Sequence, residues 1–78
     1  MIASDLPVLD LQKNARERLR IMHKVFKGKE YIDLRVWYAD ENGDYQPSRS
    51  GVSIRPDQLA EVVRGLTLAS RELPQGGN

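Results

Sequence analysis

Two runs of alternating side chains meet at Lys27-Gly28, and this juncture restricts the fold more than any other feature of the chain. From Arg16 to Phe26, Leu19, Ile21, His23 and Val25 fall on one side of an extended backbone; Arg18, Arg20, Met22, Lys24 and Phe26 fall on the other. A period of two belongs to a strand with one face toward a core and one toward solvent. Glu30 to Tyr38 repeats the pattern: Ile32, Leu34, Val36 and Tyr38 share one face, Tyr31, Asp33, Arg35 and Trp37 the other. That run is rich in the β-branched and aromatic residues that suit a pleated surface. Lys27-Gly28 then reads as a tight turn, since glycine accepts positive φ at little cost.

Asp40-Glu41-Asn42-Gly43 marks a second turn through its Asn-Gly pair. Asp44 to Arg49 reads as a third strand, with Pro47 implying an edge or a bulge. Gly51 breaks it, and Val52-Ser53-Ile54 makes a short fourth. Pro56 suits the first helical position, and Asp57 and Glu61 complement the helix dipole. Leu59, Val62, Val63, Leu66 and Leu73 form one apolar stripe. Gly65 within it costs about 1 kcal/mol against alanine; it either permits close helix packing, the favoured reading, or simply weakens the helix. The expected fold is α+β: a four-stranded antiparallel curved sheet followed by one C-terminal helix, in the order β-β-β-β-α. Residues 15–73 form the domain; 1–14 lack a clean period and read as a flexible tail, as do 74–78 after the helix.

One helix covers only one face of such a sheet. With 78 residues and no cysteine, the chain is a small single domain without disulfides or thiolate metal sites. Small scaffolds of this kind draw stability from a partner, so a homodimer is expected. Leu59, Val63 and Leu66 can be satisfied by the sheet, leaving Val62, Gly65 and Ala69 nearer a partner; the expected interface is Val62, Gly65, Leu66 and Ala69. No apolar run approaches the roughly 20 residues that span a bilayer, and Met1–Asp10 lacks the pattern of a signal peptide. A cytoplasmic protein is expected, nucleoid-associated in a bacterium or nuclear in a eukaryote.

The net charge of +1 conceals an asymmetry. Residues 13–35 hold eight basic side chains against three acidic, a surplus of +5, so the remainder carries −4. Such a distribution suits a polyanion on one face. Catalysis finds no support: His23 has no nucleophile beside it and sits on the apolar parity of its strand. Asp40, Glu41 and Asp44 flank a turn, where carboxylates serve local hydrogen bonds better than Mg²⁺. Neither an enzyme nor a bound metal or cofactor is expected. Lys24, Phe26, Lys27, Lys29 and Arg35, by contrast, are gathered by the hairpin into one neighbourhood. Single-strand binders need cations along the phosphates and aromatic faces for the bases. Phe26, exposed by parity among cations, is the best stacking candidate, and Trp37 shares the face of Arg35. A bulge after Arg35 would exchange Trp37 and Tyr38.

Phe26-Lys27-Gly28-Lys29, Ile32-Asp33-Leu34-Arg35, Trp37-Tyr38, Asp40 to Gly43, Pro47, Arg49, Gly51-Val52-Ser53-Ile54 and Pro56-Asp57-Gln58, in that order and spacing, resemble the transcriptional positive cofactor 4 family, in its compact bacterial or phage form. The resemblance covers about residues 18–70. It implies a protomer that dimerises through helices and sheets and binds single-stranded or unpaired DNA in curved channels, as a transcription coactivator or a DNA-maintenance protein. It places binding residues at Lys24, Phe26, Lys27, Lys29, Arg35 and Arg49, and a stacking tryptophan at Tyr38, one position after Trp37. A family lysine falls at Glu17, where the neighbouring Arg16 or Arg18 can substitute; a second basic position falls at Ser50, implying weaker phosphate binding. The competing expectation is a protein-interaction module that recognises an acidic transcription partner without stacking bases.

Overall fold

The computed structural model describes residues 7–74. Strands β1 (Leu9–Gln12), β2 (Glu17–Phe26), β3 (Lys29–Ala39) and β4 (Tyr45–Ile54) precede helix α1 (Pro56–Ser70). They form one antiparallel sheet in the order β1-β2-β3-β4. Fold class and element order are as the sequence implies, but the four strands are not the same four. Leu9–Gln12, within the segment read as a tail, is a strand. It is too short to show a period, and takes its place from β2: Leu9 pairs with Ile21 and Leu11 with Leu19. Residues 1–6 and 75–78 of the two expected tails lie outside the described residues.

The expected third and fourth strands are one. Pro47 and Gly51 do not end β4 because its pairing shifts between them: Gly51 faces Arg35 and Pro47 faces Trp37, so Ser48, Arg49 and Ser50 stand opposite Val36 alone. The bulge lies in β4. β3 keeps its regular register with β2 through Tyr38, which pairs with Glu17. Trp37 and Tyr38 therefore keep their alternate faces and are not exchanged.

The β2–β3 hairpin closes in two residues, with Phe26 opposite Lys29. Lys27 and Gly28 have φ of 52° and 77°, the pair of positive angles whose twist matches that of the flanking strands. The β3–β4 loop is organised by Asp40, whose Oδ1 accepts from the backbone N–H of Asn42 and of Asp44, both at 2.9 Å. Its Oδ2 accepts from Gln46 Nε2 at 3.1 Å. These bonds, Gln46 foremost, hold the Asp40 carboxyl below its ordinary range.

Register sorts the side chains into two faces. The apolar face carries Leu9 and Leu11 of β1, Leu19, Ile21, His23 and Val25 of β2, Ile32, Leu34 and Val36 of β3, and Val52 and Ile54 of β4. Ile54 is buried there, just before α1 begins. No residue of α1 is buried. Leu59 and Val62 are half-buried, while Val63 and Leu66 are exposed. Val62 rather than Val63 is thus the inward valine; the helix turns its stripe about one residue away from the orientation expected, and the sheet does not satisfy Leu66. On the other face only Met22 and Asp33 are buried.

Candidate nucleic-acid interface

The second face carries the cations. Along β2 and β3 it presents Arg18, Arg20, Met22, Lys24 and Phe26 against Trp37, Arg35, Asp33, Tyr31 and Lys29. Its two ends differ in how far their charges are already used.

At the hairpin end, Lys24, Lys27 and Lys29 make no ion pair among the described residues. Phe26 is 61% exposed, with Lys27 Nζ 5.3 Å from its ring centroid. Every other large exposed apolar side chain in the strands, namely Leu9, Leu11, Val25, Tyr38 and Val52, lies on the opposite face. Phe26 alone is an exposed apolar ring set among cations. Beside it an open groove of about 790 Å³ runs past Lys29, Tyr31 and Ser53 to Arg55 and Pro56 at the start of α1.

Arg35, in the middle, is largely engaged. Its Nε and Nη2 donate to the Asp33 carboxylate at 3.0–3.3 Å, and Nη1 donates to the Ser48 carbonyl at 3.0 Å. Asp33 is buried, and their pairing raises the Arg35 pKa further. Ser48 Oγ donates to the Val36 carbonyl at 2.7 Å and accepts from the Ser50 N–H at 3.0 Å. Arg35 therefore builds the β4 bulge as well as adding charge to the face. Two of its five N–H groups remain for a ligand. Arg49, carried on that bulge, is exposed and without an ion pair among the described residues.

The far end is a cluster of arginines and aromatic rings. Arg20 Cζ lies 4.8 Å from the Trp37 ring centroid and 5.4 Å from that of Tyr45; Arg18 Cζ lies 5.9 Å from Tyr45. Asp10 Oδ1 accepts from Arg18 Nε at 2.6 Å and is 3.3 Å from Arg20 Nε. Those bonds, Arg18 first, hold the Asp10 carboxyl below its ordinary range and raise Arg18 in turn. Tyr38, 43% exposed, stands on the apolar face, away from this cluster. Asp10, Arg20 and Tyr45 escape the sequence reading. They meet only through cross-strand register, and the sole signal for Arg20 was its shared parity with Arg18 and Lys24.

His23 Nε2 and Glu30 Oε1 are 2.7 Å apart across the hairpin on the apolar side, a pairing that ties β2 to β3. The described residues contain no cluster of three or more His, Asp or Glu suited to a metal. No described helix is long and apolar enough to cross a membrane.

The family model for Transcriptional Coactivator p15 (PC4) matches residues 13–65, from the end of β1 into the middle of α1. The chain belongs to the PC4 family. Crystal structures of a PC4 homolog from Burkholderia pseudomallei are similar to it. The orthorhombic form is 46% identical with a TM-score of 0.81, covering 92% of this chain and 100% of the homolog. The tetragonal form is 43% identical with a TM-score of 0.79, covering 88% and 98%. A bacteriophage T5 homolog of the eukaryotic coactivator shares the fold at 20% identity, with a TM-score of 0.71 over 92% of this chain and 81% of that one. Membership in the PC4 family makes this a non-enzymatic protein of the transcription-coactivator type.

Proposed function

We propose that this PC4-family chain binds single-stranded DNA as a homodimer, without reading sequence, in transcription or DNA maintenance. The observation that carries the reading is Phe26, exposed among Lys24, Lys27 and Lys29 on the face where no other large strand residue is both apolar and exposed. A ring in that position gains little from packing and offers a π-face to any base. The lysines contribute phosphate contacts that carry no sequence information. Arg49 and the spare N–H groups of Arg35 extend the phosphate path across β4, and Arg18 extends it along β2. Trp37 has the parity of this face but is stacked under Arg20; Tyr38 stands on the opposite face of β3, an interior strand, off this path.

Dimerisation is supported by what the protomer leaves uncovered. Val63 is 53% exposed and Leu66 60%, and on the apolar sheet face Leu11 and Val52 are about half exposed. Large apolar side chains left this exposed on both the helix and the sheet are what a partner subunit would cover. Of the expected helix contacts, Gly65, Leu66 and Ala69 are exposed in the protomer, whereas Val62 turns inward and exposed Val63 takes its place.

Fluorescence anisotropy with oligo(dT), the matching RNA and the duplex, over a range of salt, tests the reading. The single strand should bind tightest. Its log affinity should fall with log salt by about 0.7 per neutralised phosphate. Phe26→Ala should weaken binding by about 1–3 kcal/mol and leave that slope unchanged. Preference for duplex, or a slope near zero, overturns the proposal; tighter RNA binding would reassign the natural ligand.

A further inference from the structure

We propose that Arg18 and Arg20 form a phosphate subsite that the chain's own Asp10 carboxylate occupies, and that a phosphate of the bound strand takes the carboxylate's place. The inference rests on the single-strand reading above and names a part of its site.

Asp10 comes from β1, a four-residue edge strand exposed along its whole length. One oxygen, Oδ1, serves both guanidinium groups, and the Asp10 side chain remains 32% exposed. The arrangement serves Arg18 well and Arg20 badly. Arg20 Nε lies within ion-pair distance of Asp10 yet is not aligned for a hydrogen bond, and it is buried with no other acceptor. The indole N–H of Trp37, beneath Arg20, is likewise buried without a partner. Two buried donors without acceptors beside two like charges describe a site short of anionic oxygen.

A phosphodiester carries the same single negative charge as a carboxylate and spreads it over oxygens set further apart. Exchange preserves the charge at the arginines and supplies the acceptor that Arg20 lacks. It requires only that the exposed Asp10 side chain rotate aside. Arg18 and Arg20 share a face with Lys24 and Phe26, so the exchange lengthens the strand's path by about 20 Å along β2. While Asp10 is in place, the subsite attracts only anions that can displace a carboxylate, which favours a strand of linked phosphodiesters over isolated anions.

Exchange has a distinctive ionic signature. In the native chain the freed carboxylate gathers a cation as the strand releases one, so the subsite contributes little to the salt slope. Asp10→Asn removes the competitor. It should tighten oligo(dT) binding at low salt by on the order of tenfold and steepen the log–log slope by about 0.7 per phosphate gained. A carboxylate that merely fastens β1 to β2 predicts the opposite: equal or weaker binding at an unchanged slope, which overturns the proposal. The native chain offers a second readout. On saturation with oligo(dT), the NMR signals of Arg18 Nε–H, Arg20 Nε–H and the Asp10 carboxylate carbon should all move; unmoved signals in a protein that has bound the strand overturn it equally. Native binding measured in parallel separates the two failures, since a native chain that ignores oligo(dT) refutes the single-strand reading itself.

Discussion

A methyl group on Gly51 would fall 2.7 Å from Arg35 Cζ and 2.8 Å from Cγ and Nη1. Gly51 is bare because the Arg35 side chain lies across β4 at that point on its way to the Ser48 carbonyl. Gly51→Ala should destabilise the protein by about 1–3 kcal/mol through overpacking, seen as a lower urea midpoint with an unchanged slope. In a chain whose Arg35 is already shortened, Gly51→Ala should cost less than it does alone, because the two sites share one clash. The sequence showed Arg35 as a cation and Gly51 as a break, but not that one requires the other. That dependence is a cross-strand contact between residues 16 positions apart, and it exists only in the bulged register. The same limit hid Asp10 and Tyr45, whose partners are set by pairing and not by spacing. Phe26, whose role follows from parity and the adjacent turn, was legible because both are local.

At the scale of elements, the hairpin turn is also a compromise. Lys27 holds φ at 52°, where a residue with a Cβ is strained by roughly 1–2 kcal/mol and where Asn or Gly is preferred. The strain places an ammonium group 5.3 Å from the Phe26 ring at the tip of the cationic face. Lys27→Asn should therefore raise thermal stability while weakening oligo(dT) binding and flattening its salt slope by about 0.7, the loss of one phosphate. A variant that gains stability and binds equally well would show that the lysine is there by chance. β2 and β3 could be read from their alternation because each is long enough to show a period. β1 has four residues and no period of its own; β4 was divided because Pro47 and Gly51 end strands in a regular ladder, whereas here a bulge absorbs both. The helix was legible from Pro56 onward, but its inward face was not. Its orientation follows from α1 meeting the sheet mainly at β3, leaving the rest of the stripe unheld.

For the whole molecule, two dependences of stability follow. The first is on acid. Asp10, Glu17 and Asp40 all have folded pKa values below their ordinary ones, held there chiefly by Arg18, Asn14 and Gln46 in turn. A depressed carboxyl contributes stability above its unfolded pKa and loses it as pH falls through the folded value. The melting temperature should hold near neutrality and decline below about pH 4. The second dependence is on concentration. A self-contained domain of this length has a radius of gyration near 11 Å; this protomer has 14.4 Å, and Met22 and Ile54 are its only buried apolar residues among those described. So small a core leaves little to offset the chain entropy of folding, and the exposed stripe on α1 lies alongside an apolar sheet face only partly covered. If a second copy completes that core, folding and association are one equilibrium and the melting temperature rises with protein concentration. Sedimentation should give about twice the 8.9 kDa chain mass at micromolar concentration. Leu66→Glu decides the matter, because Leu66 is 60% exposed in the protomer. In a monomer the change would be worth within about 0.5 kcal/mol, as for most surface positions. In the dimer it buries a charge against apolar surface, so it should both halve the sedimenting mass and lower the melting temperature. A variant that remains as stable as the parent and sediments identically would show that the protomer's open face is solvated after all.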